Sequence, residues 1–150
     1  MAAAARVLCL SGPNLQLLGT REPEVYGTAT LAEIHARLAA RGRELGAEVD
    51  ARQTNHEGTL VDWIGEAPAS GFAGILLNPG AYTHTSIAIH DALKAVALPC
   101  VEVHLSNPDA REPFRRRSRI ARACVGRVAG FGGHGYELAL EGLLRFLSRA

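Results

Sequence analysis

Lysine is nearly missing from this chain. Lys94 stands alone against fifteen arginines, so an imine-forming mechanism would have one residue to use. The other cationic side chains are planar, permanently charged forks suited to carboxylate or phosphate. Cysteine is also scarce. Cys9, Cys100 and Cys124 are an odd, widely spaced set with no C-x-x-C pair. They read as buried thiols of a reducing compartment, not as a disulfide or zinc framework. No apolar run approaches the ~20 residues of a bilayer span, which excludes a membrane-spanning helix within this sequence. No G-x-x-x-x-G-K-[ST] occurs, which excludes phosphate-loop nucleotide hydrolysis. An excess of one charge is missing too. Sixteen basic and fifteen acidic residues leave a net +1, against a general nucleic-acid binder. The Ala-rich start is too short and plain for a signal peptide, and the expected location is cytoplasmic.

What remains is 150 residues with 47% apolar content. That fits a single domain over residues 1–150, with a real core, and residues 1–5 as a flexible extension. Apolar runs at residues 6–11 and Gly74–Asn78 predict buried strands. Further strands are predicted over residues 47–54, 99–106 and 125–129. Thr30 and Glu33 form a capping-box pattern, and Leu31, Ile34, Leu38 and Leu45 continue one helical face up to a stop at Gly46. Helices are also predicted around Leu60, Val61 and Ile64, over residues 85–96, and over residues 135–147 with five leucines. Residues 12–27 lack a period and contain three glycines and two prolines. They predict a long loop, which in compact domains usually serves function.

Five β–α units of this kind predict an α/β flavodoxin-like, doubly wound five-stranded parallel sheet of order 2-1-3-4-5. In such sheets ligands sit outside the carboxyl ends of the strands. Polar segments follow four strands here: residues 12–27, 53–58, 78–86 and 102–107 with 111–115. Four loops are therefore expected to converge on one sheet edge.

Other patterns carry less. Residues 130–135 match G-x-G-x-x-G, but the chain ends before the second strand and acidic residue a dinucleotide site needs; a tight strand-to-helix turn is the expectation. A response-regulator site would need an acidic pair after the first strand, and none follows it. Seven arginines fall between Arg111 and Arg127. Arg116, Arg117, Arg119, Arg122 and Arg127 read as a solvated face. Arg111 and Arg115, four apart and sharing a face if helical, are better placed to hold an anion. His35, His56, His90 and His134 read as structural or surface groups. His84 and His104 lie at strand ends among polar residues. Glu102 and His104, two apart on a strand, point to one face, where the carboxylate can orient the imidazole; the plainer alternative is a cross-strand ion pair. A metal-assisted hydrolase using His84, Asp91, Glu102 and His104 is a weaker reading, because no H-x-H or H-x-x-x-H pair is present. A flavodoxin-like domain that binds a carboxylate without turning it over is another.

Several segments together resemble type II 3-dehydroquinate dehydratase. They are G-P-N-L at residues 12–15, R-E-P-x-x-Y-G at 21–27, N-P-G-A-Y-T-H-T-S-I-A-I-x-D-A at 78–92, E-V-H-L-S-N at 102–107, R-E-x-F-R at 111–115, and G-x-x-x-G-F-G-x-x-G-Y at 126–136. They run in order across nearly the whole chain. Gln16 and Thr54 depart from the pattern, and the Ala-rich start lies outside it.

The resemblance implies loss of water from 3-dehydroquinate to give 3-dehydroshikimate, in the shikimate route to aromatic compounds. It implies no imine, no metal and no cofactor, an anti elimination through an enolate, and a homododecamer built as four trimers. It makes Tyr26 the base. A free phenol is only about one part in a thousand ionised at pH 7, and a guanidinium nearby favours the phenolate; Arg21 matches that role. His104 becomes the general acid, oriented by Glu102, since an imidazole titrating near ~6.5 donates at neutral pH. Asn78 would bind the intermediate, supported by Asn14. The backbone N–H groups of Leu105 and Ser106 and the Ser106 hydroxyl would hold the substrate carboxylate. His84, Asp91 and Arg115 would meet ring hydroxyls, Asp91 in its own or a neighbouring subunit's site, and Arg111 would add positive charge over a lid hinged at Gly19 and Gly27.

Overall fold

The computed structural model describes residues 4–20 and 22–149. Five parallel strands run β1 (Ala5–Ser11), β2 (Ala47–Gln53), β3 (Gly74–Asn78), β4 (Cys100–His104) and β5 (Gly126–Ala129). Their spatial order is β2-β1-β3-β4-β5, as the alternation of apolar runs predicts. Ala5 already belongs to β1, paired with Ala47, so the expected extension is shorter by that residue; residues 1–3 lie outside the described residues.

Side chains alternate across β1, and each face is covered by a pair of helices. On one face Val7 and Cys9 pack with Leu76, Val101 and Val103 under α2 (Leu31–Glu44) and α5 (His134–Leu147). On the other, Leu8, Leu10, Ile75 and Leu77 pack under α3 (Glu57–Glu66) and α4 (Ile87–Val96). Both faces of β3 are buried along its whole length, which is why G-I-L-L-N shows no alternation. Each fully buried leucine contributes about 1.5–3 kcal/mol.

The helix ends follow local chemistry. Thr30 Oγ1 accepts the Glu33 N–H at 3.2 Å, and Ser86 Oγ accepts the Ile89 N–H at 2.9 Å, so α4 begins at Ile87 rather than at Thr85. Leu31, Ile34 and Leu38 are buried as expected. Leu45 is not: α2 ends at Glu44, and Leu45 turns outward at 39% exposure. Gly46 (φ 75°) takes the left-handed conformation that stops the helix. Residues 12–27 are more ordered than a plain loop, with a 3-10 turn at Leu15–Leu17 and a single helical turn, α1 (Pro23–Tyr26). The glycines after β5 make the expected strand-to-helix turn. Gly130 and Gly132 have positive φ, and a Cβ on Gly133 would meet Ile34 Cγ1 at 2.6 Å.

No helix of the described residues is long and apolar enough to cross a membrane. Cys9, Cys100 and Cys124 are free thiols. Cys100 and Cys124, distant in sequence, meet side by side, and their mutual hydrogen bond together with burial raises the Cys100 thiol.

Candidate active site

Parallel register brings the strand ends level. Ser11 pairs with both Gln53 and Asn78, and His104 pairs with Ala129. The segments beyond β1, β3 and β4 enclose one pocket. Asn14, Tyr26, Asn78, His84, His104, Leu105, Ser106, Arg111 and Arg115 line it, with Pro13, Leu15, Gly80, Ala81 and Pro108.

All four loops meet at this sheet edge, as expected, and three of them line the pocket. The segment after β2 braces the pocket from behind. Asn55 Oδ1 accepts the Asn14 N–H at 3.0 Å and Gln53 Nε2 at 3.2 Å. Gln53 Nε2 also reaches the Gly12 carbonyl at 3.1 Å, and Tyr82 donates to the Asn55 carbonyl at 2.8 Å. Asn14 thus keeps a left-handed backbone (φ 69°), a conformation asparagine tolerates better than most residues. The sequence places Gln53 and Asn55 in a polar segment at this edge but gives them no individual role, because they act through other residues.

Glu102 is fully buried and His104 is 7% exposed. His104 Nε2 lies 2.5 Å from Glu102 Oε2. A carboxylate only accepts, so Nε2 carries the proton. Thr83 Oγ1 donates to the same oxygen at 2.5 Å, and Ser118 Oγ donates to Oε1 at 2.9 Å. The cross-strand ion pair exists as well: Arg127 Nε is 3.2 Å from Oε1. Arg127 therefore leaves the solvated group to which the arginine run assigned it. Burial pushes the Glu102 carboxyl up. Hydrogen bonds from His104 and Thr83 and the charges of His104 and Arg127 outweigh burial and hold it at about 2.

Tyr26, which lines the same pocket as His104, ends α1. The Arg111 guanidinium sits over its ring, 5.2 Å from the centroid, and Arg111 Nη1 also reaches Ser106 Oγ at 3.3 Å. Arg21 lies outside the described residues. Arg111 and Arg115 reach the pocket, but not from one helix face. Separate 3-10 turns at Pro108–Ala110 and Pro113–Arg115 carry this stretch, because Pro108 and Pro113 each start a new turn. His84 is fixed by donation from Nδ1 to the Arg117 carbonyl at 2.8 Å, which leaves Nε2 for the pocket.

Asp91 is the one site residue among those described that stands apart. It sits on α4 beside a separate cavity of about 290 Å³ with Ile87, His90, Arg117 and Arg119, and it contacts His90 at 2.9 Å. The metal-ligand set that includes Asp91 is therefore not assembled in one chain. Among the described residues no three His, Cys, Asp or Glu side chains group as a metal site.

The model of the family described as dehydroquinase class II matches residues 5–144. The 3-dehydroquinate dehydratase of Rhizobium johnstonii is 56% identical over 137 residues, 91% of this chain and 94% of the relative. That of Hyphomonas neptunium is 56% identical over 144 residues, 96% of both chains. The crystal structure of the type II dehydroquinase from Butyrivibrio crossotus superposes with a TM-score of 0.93 at 40% identity, covering 95% of this chain and 99% of that one. The type II dehydroquinase from Propionibacterium acnes gives 0.89 at 42%, covering 99% of each. With this extent of match and this pocket at the strand ends, the chain belongs to the dehydroquinase class II family.

Proposed function

We propose that this chain converts 3-dehydroquinate to 3-dehydroshikimate and water by anti elimination. The observation that carries this reading is the Glu102–His104 dyad sharing one pocket with Tyr26 and a set of anion-holding groups. Tyr26, as phenolate, takes the proton from the carbon next to the ketone. The C–H electron pair moves onto the ketone oxygen and gives an enolate. The ketone then re-forms, the C–O bond to the neighbouring hydroxyl breaks, and His104 supplies the proton that turns the leaving group into water. Glu102 Oε2 holds Nε2, so Nδ1 is the ring nitrogen left for that transfer.

Asn78 meets the enolate oxygen and Asn14 supports it, a preorganised arrangement often worth a few kcal/mol. Ser106, the Leu105 and Ser106 backbone and Arg111 hold the carboxylate, while His84 and Arg115 take ring hydroxyls. Arg21 assists Tyr26 through charge. The chain assembles as a homododecamer in the cytoplasm, and Asp91 completes a neighbour's pocket rather than its own.

The test is the ultraviolet absorbance of the conjugated enone formed when 3-dehydroquinate is added. Turnover that falls at least ~10²-fold in Tyr26→Phe supports the reading. Binding without product in the folded wild type overturns it and leaves the carboxylate-binding domain in its place. Sedimentation velocity reads the assembly.

A further inference from the structure

Tyr136 enters the sequence pattern only as the last letter of the G-F-G-x-x-G-Y run, and the mechanism above does not use it. It is fully buried on the first turn of α5, yet its hydroxyl lies just beneath the pocket. Asn78 Nδ2 donates to that oxygen at 3.1 Å, and Ser11 Oγ lies 2.8 Å away. A phenol that accepts from Asn78 has its own hydrogen left for Ser11, so each of the three buried side chains has a partner. Burial raises the phenol further above its ordinary value, so it stays a neutral hydroxyl that both donates and accepts.

The other end of the Asn78 amide is fixed as well. Its Oδ1 accepts the Gly80 N–H at 3.1 Å. A flipped amide would set Nδ2 against that N–H, donor to donor. Asn78 is 3% exposed and lines the pocket. With Oδ1 and one Nδ2 hydrogen committed, the second Nδ2 hydrogen is the group left for a ligand.

The strand phases explain how three elements meet here. Ser11 is in phase with Val7 and Cys9, and Asn78 with Leu76, all on the face covered by α5. Gly133 lets the start of α5 press against Ile34 of α2, which brings Tyr136 within reach of both strand ends.

We infer that Tyr136 is a positioning residue for the dehydration, its hydroxyl clamping one end of the Asn78 carboxamide so that the remaining Nδ2 hydrogen meets the oxygen where enolate charge develops. The inference rests on the dehydratase reading. A clamp of this kind acts mainly in the transition state, because the ketone oxygen gains charge only there.

The experiment compares kcat and KM for wild type, Tyr136→Phe, Asn78→Ala and the double variant, with far-ultraviolet circular dichroism as the fold check. Tyr136→Phe is expected to lower kcat about tenfold while KM stays within about twofold, as for an interaction made only in the transition state. In the Asn78→Ala background the same change is expected to cost less than about twofold, because residues acting through one group do not add. An unchanged kcat in folded Tyr136→Phe, or losses that multiply in the double variant, overturns the inference while leaving an active wild type as a dehydratase. An inactive wild type overturns the dehydratase reading and this inference with it. If Tyr136→Phe does not fold, Ser11→Ala carries the test. A loss of about threefold in kcat that disappears in the Asn78→Ala background supports the clamp, and no loss overturns it.

Discussion

The imidazole of His104 and the carboxylate of Glu102 meet at 2.5 Å on one face of β4, two residues apart in sequence. Thr83, Ser118 and Arg127 donate to the same carboxylate. Donors from four segments of the chain thus surround one fully buried acid. Such a charge is retained only with its partners in place, since an uncompensated buried charge costs several kcal/mol.

Replacing that acid by its amide tests the arrangement. Glu102→Gln keeps the shape but offers one accepting oxygen where the carboxylate has two, and its NH₂ must face a donor. His104 then loses its orientation. A positioned proton transfer is worth 10²–10⁴-fold, and Glu102→Gln is expected to lower kcat about 10²-fold, read by enone absorbance. A variant with wild-type kcat would show that His104 needs no carboxylate.

The same residue makes stability depend on pH. Its folded pKa of about 2 lies below its ordinary value near 4.5. Its contribution is therefore complete above about pH 4.5 and is lost as pH falls toward 2. Linkage puts the loss between pH 6 and pH 3 at about 2 kcal/mol. Urea unfolding of wild type and Glu102→Gln at both pH values reads it, with the wild type expected to lose about 2 kcal/mol more than the variant. Parallel pH profiles would remove Glu102 from the acid response.

Much of this architecture is legible in the sequence for a physical reason. Strand period and helix caps are local signals, so the strands and the Thr30 cap follow from neighbours in the chain, while the strand order follows from the doubly wound pattern of repeated β–α units. The pairing of Glu102 with His104 is equally local, two residues on one strand. What the sequence hides is action at long range. Thr83, Ser118 and Arg127 reach Glu102 from 19, 16 and 25 residues away, and Tyr136 reaches Ser11 across 125. Leu45 shows the opposite error: its spacing fits the α2 face, but the helix stops one residue earlier because Gly46 takes positive φ.

Chemistry at Lys94 provides a negative test. Lys94 is exposed in the last turn of α4 and lines a different cavity, beside Ala97, Leu98 and Pro99. An imine needs a lysine at the reacting carbon. Borohydride added with substrate is therefore expected to leave activity intact. EDTA is expected to leave it intact too, because Asp91 lines a different cavity from His84 and His104. Inactivation by borohydride, with hydride-trapped adduct on Lys94 by mass spectrometry, would require an imine route. Loss of activity in EDTA that zinc restores would require a metal.

Gly12 sets how closely the loops after β1 and β3 approach. Its N–H donates to the Asn78 carbonyl at 2.8 Å, and a Cβ there would meet the Pro79 oxygen at 2.6 Å and its carbonyl carbon at 2.8 Å. Both contacts are backbone, which cannot swing aside as a side chain would. Gly12→Ala must therefore push the two loops apart, and these loops carry Asn14 and Asn78. Overpacking of this kind costs about 1–3 kcal/mol, and a misplacement near 1 Å costs on the order of 10²-fold in rate. Gly142 is the control: it lies inside α5 and a Cβ there meets nothing within 4 Å. Gly142→Ala is expected to gain about 0.5–1 kcal/mol from helix propensity and to leave kcat unchanged. Thermal unfolding and turnover of both variants separate the two cases. If Gly12→Ala kept wild-type stability and rate, the loops would have room to part, and the pocket would not depend on their close approach.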